Sequence, residues 1–133
     1  MCGIAGFQGE KTELLLSAMA QAISHRGPDN LQCEYIADDK LGLSHSRLSI
    51  IDLSSSSNQP LWDVKRSHCI SFNGEIYNYK DLRDGLVAKG YEFQSAGDAE
   101  VLLNLYIEYG VKGFSKLNGI YAFAIWDASS KEL

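Results

Sequence analysis

The second residue of the chain is a cysteine, in the sequence Met1-Cys2-Gly3. Removal of the initiator methionine, which the small Cys2 side chain permits, would leave one residue with both a thiol and a free α-amine. Such an amine has a reference pKa of about 7.7–8.0 and a thiol about 8.5, so the amine can take the thiol proton near neutral pH, directly or through one water. This pairing activates a catalytic nucleophile. The alternative is an ordinary buried cysteine near a strand start.

Asn73-Gly74 follows a predicted strand and could supply hydrogen-bond donors to a reacting group. A glycine lets a ligand approach the backbone closely, and an Asn amide next to a Gly N–H makes a plausible oxyanion hole. The same dipeptide is a strong hairpin signal, and on its own the hairpin is favoured. The next residues, 76–78, instead lead into a predicted helix. Both interpretations therefore stay open at this point.

Arg47 and Asp98 are the charged residues with the clearest potential to bind a ligand. Arg47 enters an apolar stretch, where a guanidinium can hold a planar carboxylate through two hydrogen bonds. Its alternative is a structural ion pair with Asp52 or Asp29. Asp98 opens a predicted helix, where it could cap the helix or bind an ammonium group. One arginine and two acids would suit a zwitterionic amino acid with a further reactive group.

The histidines and the other cysteines are given structural interpretations. Residues 25–29, HRGPD, predict an ordered loop in which Asp29 or a backbone carbonyl satisfies Arg26. His45 is predicted to be structural, and His68 to lie at the surface. Neither the three dispersed histidines nor the three widely spaced cysteines form a zinc pattern. We therefore expect no metal and no cofactor in this part of the protein, and a reducing compartment.

Composition narrows the class of protein. The chain has 133 residues, of which 45% are hydrophobic and 22% charged, as expected for one globular domain. Its net charge of −5 and the lack of a Lys/Arg cluster argue against a nucleic-acid partner. The chain has neither a membrane-length apolar run nor a signal peptide, so we predict a cytoplasmic protein without a membrane partner.

Alternating strands and helices are predicted to position these residues. Apolar periodicity and turn signals predict strands at 4–8, 31–36, 41–45, 48–53, 68–72 and 120–126, and helices at 13–23, 78–89 and 98–109. The segment 119–126 is apolar on both faces, which predicts a strand covered on each side. Residues 131–133 are interpreted as the start of a returning strand. We therefore expect a fragment of a larger protein, or the product of a truncated gene.

Six motifs follow one another along the chain: MCGIAG at 1–6, HRGPD at 25–29, HSRLSIID at 45–52, NQPL at 58–61, FNGEIYN at 72–78 and GDAEV at 97–101. Together, in this order, they resemble one family. The chain is similar throughout to the glutaminase domain of glutamine-hydrolysing asparagine synthetases, a class II glutamine amidotransferase with the N-terminal-nucleophile hydrolase fold. Relatives that aminate sugar phosphates typically read HTRWATHG from the position of His45, whereas this chain reads HSRLSIID and so resembles the asparagine synthetase branch.

The resemblance implies a role for each catalytic position. Cys2 would attack the glutamine side-chain amide, with its own α-amine as base. Asn73 and the Gly74 backbone N–H would stabilise the oxyanion. A γ-glutamyl thioester would form with release of ammonia, and water would hydrolyse it to glutamate.

The resemblance also implies a glutamine-binding set. Arg47 would bind the α-carboxylate, and Asp98, with Glu75 nearby, would hold the α-ammonium. The pocket would further be lined by backbone groups of Leu48, Ser49, Ile50 and Ile51.

The fold implied is α+β, a four-layer α/β/β/α sandwich truncated at its C-terminal end. Residues 1–133 would be an incomplete type 2 amidotransferase domain. The ATP-dependent synthetase domain, where ATP and Mg²⁺ would bind, would be absent from this chain and would act as its partner in cis or in trans. The ammonia acceptor would be an activated carboxyl group, and the first choice is that of aspartate. Similar proteins also serve polysaccharide and other amidation pathways. A catalytically silent module and a hydrolase for another amide are the other hypotheses. The oligomeric state is left open.

Overall fold

The structure is a computed structural model that describes residues 2–133. Within that range it contains six strands, three α-helices and three short 3₁₀ turns. The turns are Ser24–Arg26, Ser55–Ser57 and Gly110–Lys116. The strands and helices are β1 Gly3–Gln8, α1 Glu13–Ala22, β2 Asn30–Ile36, β3 Leu41–Arg47, β4 Leu61–Trp62, β5 His68–Ile76, α2 Tyr79–Val87, α3 Asp98–Tyr109 and β6 Gly119–Asp127.

The strands form two antiparallel sheets that lie face to face between helices. One sheet has the order β1-β3-β2 and the other β4-β5-β6. Helix α1 packs on the first sheet, and α3, with α2 beside it, packs on the second. Across the space between the sheets, the Ser71 hydroxyl donates to the Ser44 carbonyl oxygen over 2.9 Å. The predicted α/β/β/α layering is therefore confirmed.

Strand β5 separates two of the three hydrophobic cores, because its side chains alternate between its faces. Ile70, Phe72 and Ile76 point to the α3 side and pack with Leu102 and Leu103. On the opposite face, residues of β3, β5 and β6 fill the layer between the sheets, namely Leu41, Leu43, Cys69 and Trp126. The third core joins α2 to α3. The residues of β5 that face the first sheet include Asn73.

Local signals explain where two helices begin. The Thr12 hydroxyl accepts the Leu15 N–H at 3.2 Å and so caps α1, whose residues Leu16 and Ala20 are buried. Asn78 does precede α2, as predicted, but its side chain makes no capping bond. It instead joins the turn before β6, donating to the Lys116 carbonyl and accepting from the Asn118 N–H.

Two predictions about strands, and one interpretation that the sequence left open, are corrected by the structure. Residues 48–53 form no strand, because the chain leaves the sheet after Arg47 and is held by polar contacts described below. Asn73-Gly74 is no hairpin turn, because β5 continues through it to Ile76 and pairs with β6 along its whole length. The strand β6 is covered on both faces only near Ile125 and Trp126, whereas residues 120–122 are exposed.

The C-terminal residues pair with β6 only at one point. Within the described range, the returning segment makes a single bridge between Asp127 and Glu132. The structure thus contains a turn at the predicted place but no second strand. No helix among residues 2–133 combines the length and apolarity needed to cross a bilayer.

Candidate active site

A cavity of about 240 Å³ opens between the two sheets, beside the ends of β1 and β3. It gathers nine of the ten site residues predicted from the sequence. Ser49 is the exception, because it does not line the cavity and its N–H donates to the Asp29 carboxylate at 2.7 Å. The nine are Cys2, Arg47, Leu48, Ile50, Ile51, Asn73, Gly74, Glu75 and Asp98.

Cys2 stands at the entrance of β1 with its sulfur on the main chain of Leu48. The Leu48 N–H donates to Cys2 Sγ at 3.3 Å, and the thiol lies 3.6 Å from the Leu48 carbonyl oxygen. The Arg26 Nε donates to the Cys2 carbonyl oxygen at 3.0 Å. A backbone carbonyl therefore satisfies Arg26, as one of the two predicted alternatives had it. The prediction that Met1 is removed falls on a residue outside the described range.

The edge of β5 that faces the cavity is open at Gly74. In an antiparallel ladder the N–H and C=O groups of alternate residues point to the same edge. The Phe72 N–H, pointing away from β6, donates to Gln59 Oε1 at 2.7 Å, and the Ile76 N–H donates to Asp98 Oδ2 at 3.0 Å. Gly74 lies midway between them, so its N–H points to the same edge, where the cavity begins.

Asn73 and Gly74 sit in a crowded part of this strand. A Cβ atom at Gly74 would lie 2.3 Å from the Ile120 carbonyl oxygen and 2.6 Å from the Tyr121 Cα, so only glycine fits there. The Asn73 side chain lines the cavity, and its carbonyl oxygen is buried without a hydrogen-bond partner among residues 2–133. An Asn amide and a free Gly N–H can together receive a developing negative charge.

Arg47 is nearly buried and held by oxygen acceptors rather than by a carboxylate. Its Nη1 donates to the Ser54 carbonyl at 2.8 Å and to Asn58 Oδ1 at 2.6 Å, and its Nη2 donates to the Asp52 carbonyl oxygen. Within the described residues it forms no ion pair with Asp52 or Asp29, which corrects that alternative. An arginine has five N–H donors, so these three bonds leave two donors without a partner among residues 2–133.

Two carboxylates give the cavity its negative side. Asp98 is buried at the first turn of α3, and Glu75 is exposed on β5. Burial, with the nearby Glu75 charge, raises the pKa of Asp98, while its hydrogen bond from Ile76 opposes the rise. The N-cap position of α3 is Gly97, so Asp98 is the first residue of the helix rather than its cap residue. Hydrogen bonds from the N–H groups of Asp98 and Ala99, in the first turn of the helix, also oppose the rise in the pKa of Asp98. A cation placed between these acids would lower the cost of ionising Asp98.

Asp52 was predicted only as an ion-pair partner, yet it organises the loop over the cavity. Its carboxylate accepts hydrogen bonds from the Ser54 N–H, the Ser57 hydroxyl and the Ala96 N–H, each at 2.7–2.8 Å. These bonds hold the pKa of Asp52 well below its usual range. The sequence signal was the run of serines after Asp52, which is typical of side chains that bond to nearby backbone.

His45 and Gln59 also line the cavity, and sequence reasoning did not assign them to the site. Both are buried, and both bond to the backbone of Phe72. A clue for His45 was its spacing of two from Arg47, which places both side chains on one face of a strand. The part of the chain that the structure describes has no group of three or more His, Cys, Asp or Glu side chains placed to hold a metal ion.

Comparison with known proteins gives the relationship of the chain. A family model described as "Glutamine amidotransferase domain" matches residues 1–133. Asparagine synthetase [glutamine-hydrolyzing] 1 of Bacillus subtilis is 43% identical over 140 residues, covering 100% of this chain and 22% of that protein. Asparagine synthetase B [glutamine-hydrolyzing] of Escherichia coli is 39% identical over 133 residues, covering 96% of this chain and 23% of that protein.

Two further similarities widen the picture. Amidase chry2 of Gibberella zeae is 35% identical over 147 residues, covering 100% of this chain and 22% of that protein. The solved structure of glutamine phosphoribosylpyrophosphate amidotransferase from B. subtilis superposes with a TM-score of 0.78 at 20% identity, covering 96% of this chain and 35% of that one. That likeness concerns the fold alone, and it agrees with the predicted α+β class.

The chain spans about a fifth of the length of these sequence relatives. The family model, in contrast, covers the whole chain. This chain therefore belongs to the glutamine amidotransferase domain family, and its sequence relatives include glutamine-hydrolysing asparagine synthetases.

Proposed function

We propose that this domain hydrolyses L-glutamine to glutamate and ammonia, with Cys2 as the nucleophile. The observation that carries the proposal is the placement of Arg47 and Asp98 in the same cavity as the Cys2 thiol. Arg47 matches the α-carboxylate of a free amino acid, and Asp98, beside Glu75, matches its α-ammonium. The glutamine side chain would then extend toward Cys2, Asn73 and Gly74.

The α-amine of Cys2, which is free once Met1 has been removed, carries the proton through each step of the reaction. The amine takes the thiol proton as sulfur attacks the amide carbon, and the oxyanion forms against the Asn73 side chain and the Gly74 N–H. The protonated amine then gives its proton to the leaving nitrogen, and ammonia departs as the thioester forms. Water, deprotonated by the same amine, attacks the thioester and releases glutamate, which regenerates the thiol.

The fate of the ammonia is the second part of the proposal. The names of two sequence relatives, asparagine synthetase [glutamine-hydrolyzing], support transfer to an activated carboxyl group, with aspartate as the first choice. We propose that an ATP-dependent synthetase domain, in cis or in trans, activates that carboxyl. The similarity to Amidase chry2 supports a different acceptor as the alternative. A cytoplasmic location stays a prediction.

A glutaminase assay combined with intact mass tests the N-terminal base. We expect activity only in chains from which Met1 has been removed, because an amide nitrogen at Cys2 cannot accept the thiol proton. The comparison is an identical chain that carries a permanent N-terminal extension. Equal activity in the extended chain would exclude the α-amine as base.

Thiol labelling separates an active domain from a silent one. Iodoacetamide should modify Cys2, and glutamine should slow this modification. Burial raises the pKa of the buried Cys69 thiol, so we expect that residue to react little. Exposed Cys33 serves as the internal control, and glutamine should leave its labelling rate unchanged. A Cys2 labelling rate that glutamine does not alter, in a chain without glutaminase activity, would support the silent module.

A further inference from the structure

The peptide groups of Phe72, next to Asn73, are bonded by side chains from two other parts of the chain. His45 Nε2 lies 3.0 Å from the Phe72 carbonyl oxygen, and Gln59 Oε1 accepts the Phe72 N–H at 2.7 Å. Both contacts are buried. The backbone immediately before the Asn73-Gly74 pair is thus held at its N–H and at its carbonyl.

The Gln59 side chain extends the hydrogen bonding between β4 and β5 beyond the end of β4. Strand β4 pairs with β5 only at Leu61–Ile70 and Trp62–Cys69. Carrying that register back two residues places Gln59 opposite Phe72, beyond Pro60, which has no N–H to donate. The Gln59 side chain supplies the acceptor that a longer strand would have supplied. On this edge of β5, the hydrogen bonds that continue the β4 pairing therefore end at Phe72, and the Gly74 N–H is the next one along the edge.

His45 reaches the same peptide from the other sheet. Its ring is fully buried, in the middle of β3, between the pairing partners Ile4 on β1 and Gln32 on β2. Because Phe72 offers a carbonyl oxygen, the His45 Nε2 must carry the proton and donate it. The Nδ1 is then an acceptor, and it makes no hydrogen bond within residues 2–133 although it is buried. Arg47, two residues further on β3, lies in the same cavity.

We infer that His45 and Gln59 are positioning residues that fix the Asn73 side chain and the Gly74 N–H for the oxyanion. The inference rests on the proposed glutaminase function. Neither side chain needs to touch glutamine for this role. A small shift of the Phe72 peptide would be transmitted directly to Asn73, and misplacement of reacting groups by about 1 Å can cost about 10²-fold in rate.

A purely structural role would instead hold the two sheets together, and Ser71 provides the matched control for it. The Ser71 hydroxyl also links the sheets, is also buried, and precedes Phe72 by one residue. It contacts Ser44 and no atom of residues 72–74 among its hydrogen bonds in the described range. Ser71→Ala therefore removes an inter-sheet bond without releasing the Phe72 peptide.

The test compares glutaminase kinetics of the full-length chain in five forms: wild type, His45→Leu, His45→Gln, Gln59→Leu and Ser71→Ala. We expect His45→Leu and Gln59→Leu to lower kcat by about 10- to 10²-fold with KM for glutamine changed less than threefold. His45→Gln keeps a donor near the position of Nε2 and should recover most of the loss. Ser71→Ala should keep the wild-type kcat.

A second measurement decides the matter independently of activity. In ¹⁵N NMR spectra, the Gly74 amide and the Asn73 side-chain amide should shift in His45→Leu and Gln59→Leu but not in Ser71→Ala. Unchanged kcat and unchanged resonances in the folded Leu variants would overturn the inference, as would an equal loss in Ser71→Ala. A wild-type chain without glutaminase activity would refute the proposed function, and the NMR comparison would still test the positioning.

Discussion

The buried, neutral His45 should make the protein acid-sensitive between pH 7 and pH 5. Burial is the main cause that lowers the pKa of His45 to about 4, the Arg47 charge adds to it, and the bond to the Phe72 carbonyl opposes it. In the unfolded chain the ring has its ordinary pKa of about 6.5. The unfolded state therefore binds more protons in this window, and the free energy of unfolding falls as the pH falls.

The size of the effect follows from these two pKa values. Between pH 7 and pH 5, the unfolded state gains protonation that the folded state lacks, which corresponds to about 2 kcal/mol. The loss continues toward pH 4 and then levels off. Asp52 also favours the folded state when ionised, but its contribution is present above its unfolded-state pKa of about 4 and is lost only below that pH. The raised pKa of buried Asp98 acts in the opposite sense, since acidification relieves its burial.

Urea denaturation at pH 7, 6 and 5, followed by the fluorescence of buried Trp126, measures this change. The control is His45→Gln, which keeps a hydrogen-bond donor but cannot titrate. We expect the wild type to lose about 2 kcal/mol more than the variant over this range. Parallel stability profiles for the two proteins would refute the reasoning, because they would show that His45 has the same pKa in both states.

Three further predictions concern the proposed chemistry and the strand that supports it. Cys2→Ala should abolish glutamine hydrolysis and spare glutamine binding, as measured by calorimetry. Asn73→Ala should raise the activation barrier of glutamine hydrolysis by about 2.7–4 kcal/mol, seen chiefly as a lower kcat. Arg47→Ala should act mainly on KM, at a cost of roughly 2–5 kcal/mol in glutamine binding. If Asn73→Ala changed only KM, or Arg47→Ala only kcat, the two assigned roles would be exchanged or refuted. Gly74→Ala should disrupt the pairing of β5 with β6, because the new Cβ would lie 2.3 Å from the Ile120 carbonyl oxygen. Gly85 lies in helix α2 with open space around it, so Gly85→Ala should instead stabilise the folded protein against thermal unfolding by up to about 1 kcal/mol.

Periodicity in the sequence predicted most of the strands and helices, because burial on one face leaves a pattern that is local. It failed at residues 48–53, where Leu48, Ile50 and Ile51 suggest a strand. There the conformation is set by hydrogen bonds from Arg47 to the Asp52 carbonyl oxygen and from the Ala96 N–H to the Asp52 carboxylate. Apolar periodicity carries no signal for such polar contacts, and Ala96 lies 44 residues beyond Asp52. Periodicity also could not show that Asn73-Gly74 lies inside a strand, since the pairing partner is about 50 residues away.

The site residues were predicted largely through resemblance, and the gaps have physical reasons. Residue types alone left Arg47 between a ligand clamp and an ion pair, because the acceptors it uses are mostly backbone carbonyls that no sequence pattern marks. His45 was interpreted as a structural residue for the same reason. Its partner is a carbonyl oxygen on a strand in the opposite sheet, which becomes visible only when the two sheets are placed face to face.

The unoccupied N–H of Gly74 at the edge of β5 has consequences for aggregation and for inhibitor design. An exposed strand edge normally invites pairing with a strand from another molecule. Here the neighbouring outward N–H groups, at Phe72 and Ile76, are already occupied by side chains, so the gap is a single residue long. An invading strand needs several consecutive groups and finds one. A compact carbonyl compound can use that single N–H, which favours small amino-acid-like inhibitors over extended peptides at this edge.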